Sequence, residues 1–323
     1  MTDRRNSQPT VTAESHDAAP APDQAILAGL LAAQASLPPK LFYDVLGSTL
    51  FTSICLLPEY YQTRTEAAIF TRFGHSMANR MPAGFRLVDL GAGDCRKAAG
   101  LIPVLKPAYY TPIDISGQFL IPAANAVAAE FPDVRVEPLI RDFTQAWQLP
   151  DAMRDEPIVY FYPGSSIGNF DPDDVIGFLE NLRQSAAGPS QLLVGIDTVK
   201  SAAVLEAAYD DAIGVTAAFN RNALLNANAQ LGTNFDVSQW DHRAVFNTAL
   251  SRIEMHLVAR EDLRVSWAAG ERGFEQGETI HTESSYKYTR ESFAGLLGQS
   301  GFSVQDQWQD GAGDFLVILA QTD

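Results

Sequence analysis

The stretch LVDLGAGDCRKAAGLI, residues 87–102, decides the fold. An apolar run ends in Gly91-Ala92-Gly93, and a helical pattern follows at once. Gly91 and Gly93 lack a Cβ, so the backbone can turn tightly and leave its amides open to a ligand. Alone, such a turn is a weak sign of a nucleotide site, because a plain strand–helix turn looks the same. Outward from it the chain keeps an α/β rhythm. Apolar runs at 85–90, 110–115, 158–162 and 192–196 alternate with helical patterns at 96–105, 117–131 and 173–187, and a further strand is expected at 134–139. Short apolar runs separated by helices predict buried parallel strands. Near the C-terminus a helix at 290–300 leads to SVQDQWQ, a DGAGD turn and FLVILAQ, which predicts an antiparallel hairpin at the sheet edge.

This order resembles the class I S-adenosylmethionine-dependent methyltransferases. The expected fold class is therefore α/β: a Rossmann-like sheet with a terminal antiparallel hairpin, plus a second α+β substrate domain. Residues 1–24 are poor in large apolar side chains and read as a disordered tail. A helical, apolar segment at 24–34 follows the tail. Residues 75–200 and 287–323 form the expected methyltransferase domain. Residues 25–74 and 201–286 form the substrate domain, the latter segment holding a long helical region and then RIEMHLVAR, RVSWAA and ETIHTESSYKY as strands.

Composition narrows the partners. The 323 residues carry 23 Lys+Arg against 39 Asp+Glu, a formal net charge of −16. That balance argues against nucleic acid or an anionic membrane as partner, since both would repel the average surface. Two cysteines exclude a disulfide scaffold and fit a reducing compartment, so a cytoplasmic location is expected. No apolar run is long enough to span a bilayer. The five histidines show no metal-ligand spacing, so no metal is expected. GSSIG lacks the spacing of a nucleophile elbow, which argues against a hydrolase. A monomer is favoured.

Three positions agree on an adenosine ligand. After the Gly-x-Gly turn, Asp114 ends the second apolar strand, where a carboxylate can accept both ribose hydroxyls. Asp142 and Phe143 follow the third strand and could bind the adenine amino group and stack on its ring. The bland alternatives are a strand-end Asp and a surface Asp beside a core Phe. A dinucleotide fingerprint requires a third glycine where Arg96 stands. This departure favours S-adenosylmethionine over NAD.

FYDVLGSTLF, LPEYYQTRTEAAIF, GSSIGNF, AYDDAIGVTAAFNRN, RIEMHL and TESSYKY occur in this order. From about Leu41 to the C-terminus the chain resembles the histidine-specific Nα-methyltransferases of ergothioneine biosynthesis. The resemblance implies transfer of three methyl groups from S-adenosylmethionine to the α-amine of L-histidine, giving hercynine. It implies that Tyr60 faces the imidazole, that Tyr43 lies near the amine, and that Asn169 and Tyr209 hold the amino and carboxylate groups. Glu283 and Ser285 would read the two imidazole nitrogens, with Met255 lining the pocket; Tyr43, Asn169 and Tyr209 are the catalytic candidates. Gly91, Gly93, Lys97, Asp114, Asp142 and Phe143 are the cofactor candidates, although the Asp94-Cys95-Arg96-Lys97 stretch leaves open what touches the methionine end. Ser284 beside Ser285 leaves two candidate hydroxyls, and strand alternation favours Ser285 on the face of Glu283. Without the resemblance these residues read as half-buried aromatics, a turn Asn and a solvated Glu, and Cys95 reads as structural. The alternatives are a methyltransferase of the same fold acting on another amino acid, such as a tryptophan derivative, and a noncatalytic adenosine-ligand sensor.

Overall fold

The computed structural model describes residues 22–322. The expected tail lies outside the described residues as far as residue 21. Its last three positions belong instead to helix Pro22–Leu31, which starts two residues before the expected 24 and stops short of 34. Two compact units divide the described chain: Arg64–Thr198 with Tyr288 onward, and residues 22–63 with Val199–Lys287. The first division falls inside helix Tyr61–Ala78, earlier than residue 74, because Ile69 and Met77 of that helix are buried in the core of the first unit.

The first unit is built on one sheet, whose main strands we number β1 (Arg86–Leu90), β2 (Tyr109–Asp114), β3 (Arg135–Val136), β4 (Ile158–Tyr162), β5 (Ser190–Asp197), β6 (Phe302–Gln309) and β7 (Phe315–Thr322). Their spatial order is β3-β2-β1-β4-β5-β7-β6. Strands β1 to β5 pair in parallel, and β7 runs antiparallel to both β5 and β6. Every residue of β1 and β4 is buried, as expected of strands covered on both faces. The expected strand at 134–139 is two short pieces. Arg135–Val136 pairs with the start of β2 and Leu139–Ile140 with its end, and the interruption contains Pro138, which has no N–H for the ladder.

The second unit pairs Ala35–Ser36, Thr279–Tyr286, Arg252–Ala259 and Trp240–Asn247 in that order, and carries a separate hairpin of Leu263–Trp267 with Gly270–Phe274. Strand Trp240–Asn247 was not expected from the sequence. Only its first residue is fully buried and the rest is half-buried or exposed, so it lacks the apolar run that marks a strand. Helices Val45–Ile54 and Val215–Leu231 pack together in this unit, joined by polar ties. Asp44 caps the first by accepting from Gly47 N at 2.7 Å, and the same carboxylate oxygen accepts from Asn222 Nδ2 at 2.8 Å. Asn226 Nδ2 donates to Leu41 O at 2.7 Å. These bonds explain why FYDVLGSTLF and AFNRN belong together, and they fix the backbone on both sides of Tyr43.

A Cβ at Gly47 would lie 1.6 Å from Phe42 O, which is backbone and cannot step aside. Gly47→Ala should therefore destabilise the protein by about 2–3 kcal/mol or more, the scale of an overpacked core. Thermal unfolding followed by circular dichroism checks this, with Gly177→Ala, a helical position where nothing lies within 4 Å of the new Cβ, as the unhindered comparison, expected to raise stability by up to about 1 kcal/mol.

Candidate active site

In the first unit, the candidate cofactor residues follow the carboxyl ends of β1, β2 and the short strand Leu139–Ile140. Gly91 and Gly93 both adopt positive φ, +71° and +53°, so the turn needs them. The Gly91 and Ala92 amides donate to Ile113 O, tying the turn to β2. Asp114 then accepts from Gly93 N at 3.0 Å and from Ser116 N at 2.9 Å, one bond to each carboxylate oxygen. Two amides thus hold the carboxylate still while each oxygen keeps acceptor capacity. Phe143 lies over the turn: a Cβ at Gly91 would meet its ring at 3.5 Å, and its far side meets Tyr162 edge-on at 5.8 Å between centroids. Asp142 is exposed, and its Oδ1 accepts from Thr144 N at 2.9 Å and Thr144 Oγ1 at 2.5 Å. The amides of Gly91, Ala92 and Gly93 are thus taken by Ile113 O and Asp114 and are not the ligand contacts expected from the sequence; what suits an adenosine ligand is the acidic strand end, the side-chain-free turn and the aromatic ring beside it.

Lys97 has a partner that the sequence did not reveal. Its Nζ lies 2.8 Å from Glu66 Oε2, and Glu66, only 1% exposed, also accepts from Gly164 N at 2.7 Å. The one available signal was a glutamate set among the apolar residues of TEAAIF. Asp89, within LVDLGAGDCRKAAGLI, is buried and accepts from Tyr110 OH at 2.7 Å. Burial pushes its carboxyl up to about 7 against the opposing effects of the Tyr110 bond and the Lys97 charge. Burial also pushes the Cys95 thiol up to about 12, so it is a poor nucleophile, in keeping with a structural role. Asn169 closes the short turn Ser166–Asn169 after β4 and is half-buried. Among the described residues no cluster of three or more His, Cys, Asp or Glu could hold a metal ion.

In the second unit, a β-bulge sets the geometry. Strand Thr279–Tyr286 pairs with Arg252–Ala259 so that Ile280 faces Leu257 and His281 faces His256, but Glu283 then faces Met255 and Ser285 faces Ile253. The extra residue is Thr282, whose Oγ1 donates to Met255 O at 3.0 Å. Without it, His281 and Glu283 would share a face by the period of two; with it, Glu283 changes face and joins Met255 and Ser285. Ser284 Oγ lies 3.1 Å from His281 Nε2 on the opposite face. Ser285 Oγ is 2.8 Å from Tyr209 OH, and both take a hydrogen bond from Lys287 Nζ. The structure thus brings Met255, Glu283, Ser285 and Tyr209 together, with Ser284 turned away.

Tyr209 ends helix Ala202–Tyr209, where His242 Nε2 lies 2.8 Å from its carbonyl oxygen. Since that carbonyl only accepts, Nε2 carries the proton, and Nδ1 accepts from Asn220 Nδ2 at 2.8 Å. Tyr60 meets the Tyr209 ring edge-on at 6.2 Å, and Phe51 and Phe219 continue the aromatic wall to Tyr43, which is 42% exposed. Phe51 and Phe219 lie within FYDVLGSTLF and AYDDAIGVTAAFNRN, where nothing local marks them as wall residues. Desolvation, and then Tyr209 and other acidic neighbours, raise the Tyr60 phenol well above its ordinary range, so it keeps its proton.

Burial raises Glu283, 8% exposed, to about 7 against the lowering effect of the Lys287 charge. A carboxyl whose folded pKa exceeds its unfolded value binds more protons when folded. Stability from this group is therefore present below about 4.5 and lost as pH rises through about 7. Between pH 5 and 8, wild type should lose about 2–3 kcal/mol more than Glu283→Gln. Unfolding midpoints across that range check it; parallel profiles would contradict the buried carboxyl.

Residues 22–322 match the family described as histidine-specific methyltransferase, SAM-dependent. The chain is 40% identical over 303 residues to the histidine N-alpha-methyltransferase of Mycolicibacterium smegmatis, covering 91% of this chain and 93% of that protein. It is 37% identical over 301 residues to the Mycobacterium tuberculosis protein of the same name, with the same coverages. It is also 26% identical over 303 residues to the N-methyltransferase imqF of Aspergillus flavus, covering 90% and 82%. A match that spans both units leaves no part of the described chain unaccounted for, and the chain belongs to the family of S-adenosylmethionine-dependent, histidine-specific methyltransferases.

Proposed function

We propose that this chain transfers three methyl groups in succession from S-adenosylmethionine to the α-amine of L-histidine, giving hercynine and S-adenosylhomocysteine. The observation that supports it best is the bulge at Thr282, which sets an acceptor, Glu283, and a hydroxyl, Ser285, on one strand face beside Met255. Imidazole carries one N–H and one bare nitrogen, so a carboxylate and a hydroxyl can satisfy both ends. Asp114, Phe143, Asp142 and the Gly91–Gly93 turn would hold the adenosine part of the methyl donor, with Lys97 toward its methionine end. The sulfonium supplies an activated leaving group, so the protein mainly aligns the amine, which is catalysis by proximity and orientation.

Tyr43, Asn169 and Tyr209 are assigned to the amine and carboxylate of histidine. Tyr60 keeps its phenol proton and is no base, and a free α-amine titrates near 7.7–8, so its proton can leave to water. Holding histidine by its ring and carboxylate leaves the amine free to turn between successive transfers. Small-molecule chemistry of this kind suits a cytoplasmic protein, as the two cysteines suggest.

Incubation with histidine and the methyl donor should give mono-, di- and trimethylated products by mass spectrometry. Methylation of another amine with histidine ignored would refute the assignment. Glu283→Ala should lower kcat/KM for histidine by about 10–150-fold, the scale of an unpaired buried hydrogen-bonding group, while calorimetric affinity for S-adenosylhomocysteine stays unchanged. Asp114→Ala should show the converse, with S-adenosylhomocysteine bound at least about tenfold more weakly. A tryptophan derivative as the true substrate would appear as unchanged histidine turnover in Glu283→Ala.

A further inference from the structure

Glu66 sits on helix Tyr61–Ala78, is 1% exposed, and has no part in the mechanism above. Its two carboxylate oxygens have separate partners. Oε1 accepts from Gly164 N at 2.7 Å, and Oε2 accepts from Lys97 Nζ at 2.8 Å. Two glycines make room for this arrangement. A Cβ at Gly195, on β5, would lie 2.3 Å from Glu66 Oε1, and a Cβ at Gly164 would lie 2.7 Å from Lys97 Nζ. The carboxylate therefore rests on bare backbone, and the ammonium passes a second bare position. The Lys97 side chain is 39% exposed, so the ion pair is closed at its negative end and open at its positive end. An ammonium has three donors, and the bond to Glu66 uses one of them.

We propose that Glu66 is a positioning residue for the methyl donor, holding the Lys97 ammonium ready for the carboxylate at the donor's methionine end. The inference rests on the reading above that Lys97 serves that end. A half-exposed lysine is a flexible chain, and ordering it on binding costs affinity. With Glu66 fixed on the Gly164 amide and bonded to the lysine, the ammonium is ordered before the ligand arrives. The opposing effect is repulsion between Glu66 and the ligand's carboxylate. A carboxylate approaching the open end meets the ammonium first and Glu66 only behind it, so the repulsion is the weaker term. Because the two oxygens have separate partners, Glu66→Gln divides their roles. Its amide oxygen can still accept from Gly164 N, but its amide nitrogen then faces Lys97, donor against donor, and turns the lysine toward solvent.

The test is the calorimetric affinity of the full chain for two ligands at one pH. S-Adenosylhomocysteine carries the amino-acid end, and methylthioadenosine has the same adenosine and sulfur without it. Lys97→Met should weaken S-adenosylhomocysteine at least about tenfold, the scale of a lost charge-assisted hydrogen bond, and leave methylthioadenosine unchanged. Glu66→Gln should weaken S-adenosylhomocysteine about 3–10-fold, again sparing methylthioadenosine, and should add no further loss in the Lys97→Met background. Glu66→Met, of similar length, serves should the glutamine variant not fold, and should show the same selective loss. A merely structural glutamate would weaken both ligands alike, or add its loss to that of Lys97→Met, and either result overturns the inference. Unchanged or tighter S-adenosylhomocysteine in Glu66→Gln would mean that repulsion prevails, and overturns it too. If Lys97→Met does not distinguish the two ligands, the assignment of Lys97 to the methionine end falls and this inference with it. A selective loss in Lys97→Met without one in Glu66→Gln overturns this inference alone.

Discussion

A β-strand alternates its side chains, and one inserted residue reverses every side chain beyond it. Thr282 is that residue here, and the geometry of the second unit's site depends on it. Upstream of it, Ile280 belongs to the core face with Leu257 and His281 to the other face with His256. Downstream, Glu283 and Ser285 point to the side of Met255, where a regular strand would have placed Thr282 and Ser284. The Thr282 hydroxyl bond to Met255 O closes the bulge at the point where the register shifts. A carboxylate is thereby moved into a buried, aromatic-walled environment, and the raised Glu283 pKa is the energetic record of that move.

Burying a carboxylate costs several kcal/mol unless other groups compensate it. The two units meet this cost in the same way, each with a lysine near a buried acid. In the second unit Lys287 holds the hydroxyls of Ser285 and Tyr209 while its charge draws the Glu283 pKa down. In the first, Lys97 pairs with Glu66, and its charge lowers Asp89. The arrangement also restricts motion, because Glu66 ties the lysine to the Gly164 amide and Lys287 ties two side chains from different elements. Such sites are rigid before any ligand arrives, which suits reactions that depend on alignment.

Most of the first unit was legible because its strands are buried on both faces and read as continuous apolar runs. The terminal hairpin was equally plain, since DGAGD is flanked by runs of strand-forming residues. The third strand was misjudged where Pro138 breaks the ladder, and strand Trp240–Asn247 was missed because, after Trp240, its residues are only half-buried or exposed. The motif strings supplied the candidate site residues, and i, i+2 alternation placed Ser285 on the face of Glu283, as the strand register has it. That rule applies only downstream of the bulge. Nothing in TESSYKY announces the extra residue, which is set by register with a strand more than twenty positions away. Glu66, Lys287 and Phe219 escaped for the same reason: their partners are distant in sequence, and a pairing between distant segments leaves no local pattern.

The acidic composition takes on a different meaning once these pairings are known. A net charge of −16 describes the surface, where carboxylates are solvated and contribute little individually. The carboxylates held firmly in place around the candidate sites are few, and each is distinguished by what holds it. Asp114 is fixed by two amides, Glu66 by an amide and an ammonium, and Glu283 by burial on a bulged strand. A site composed this way discriminates by the number and direction of its hydrogen bonds. An apolar ring of similar size would leave Glu283 and the Ser285–Tyr209 pair unsatisfied, a penalty larger than a change of one methylene in an apolar pocket can impose. Under the proposed assignment, selectivity for a small polar ring would follow from placing a few groups against their ordinary preference for water, and the bulge and the two lysines are what keep them there.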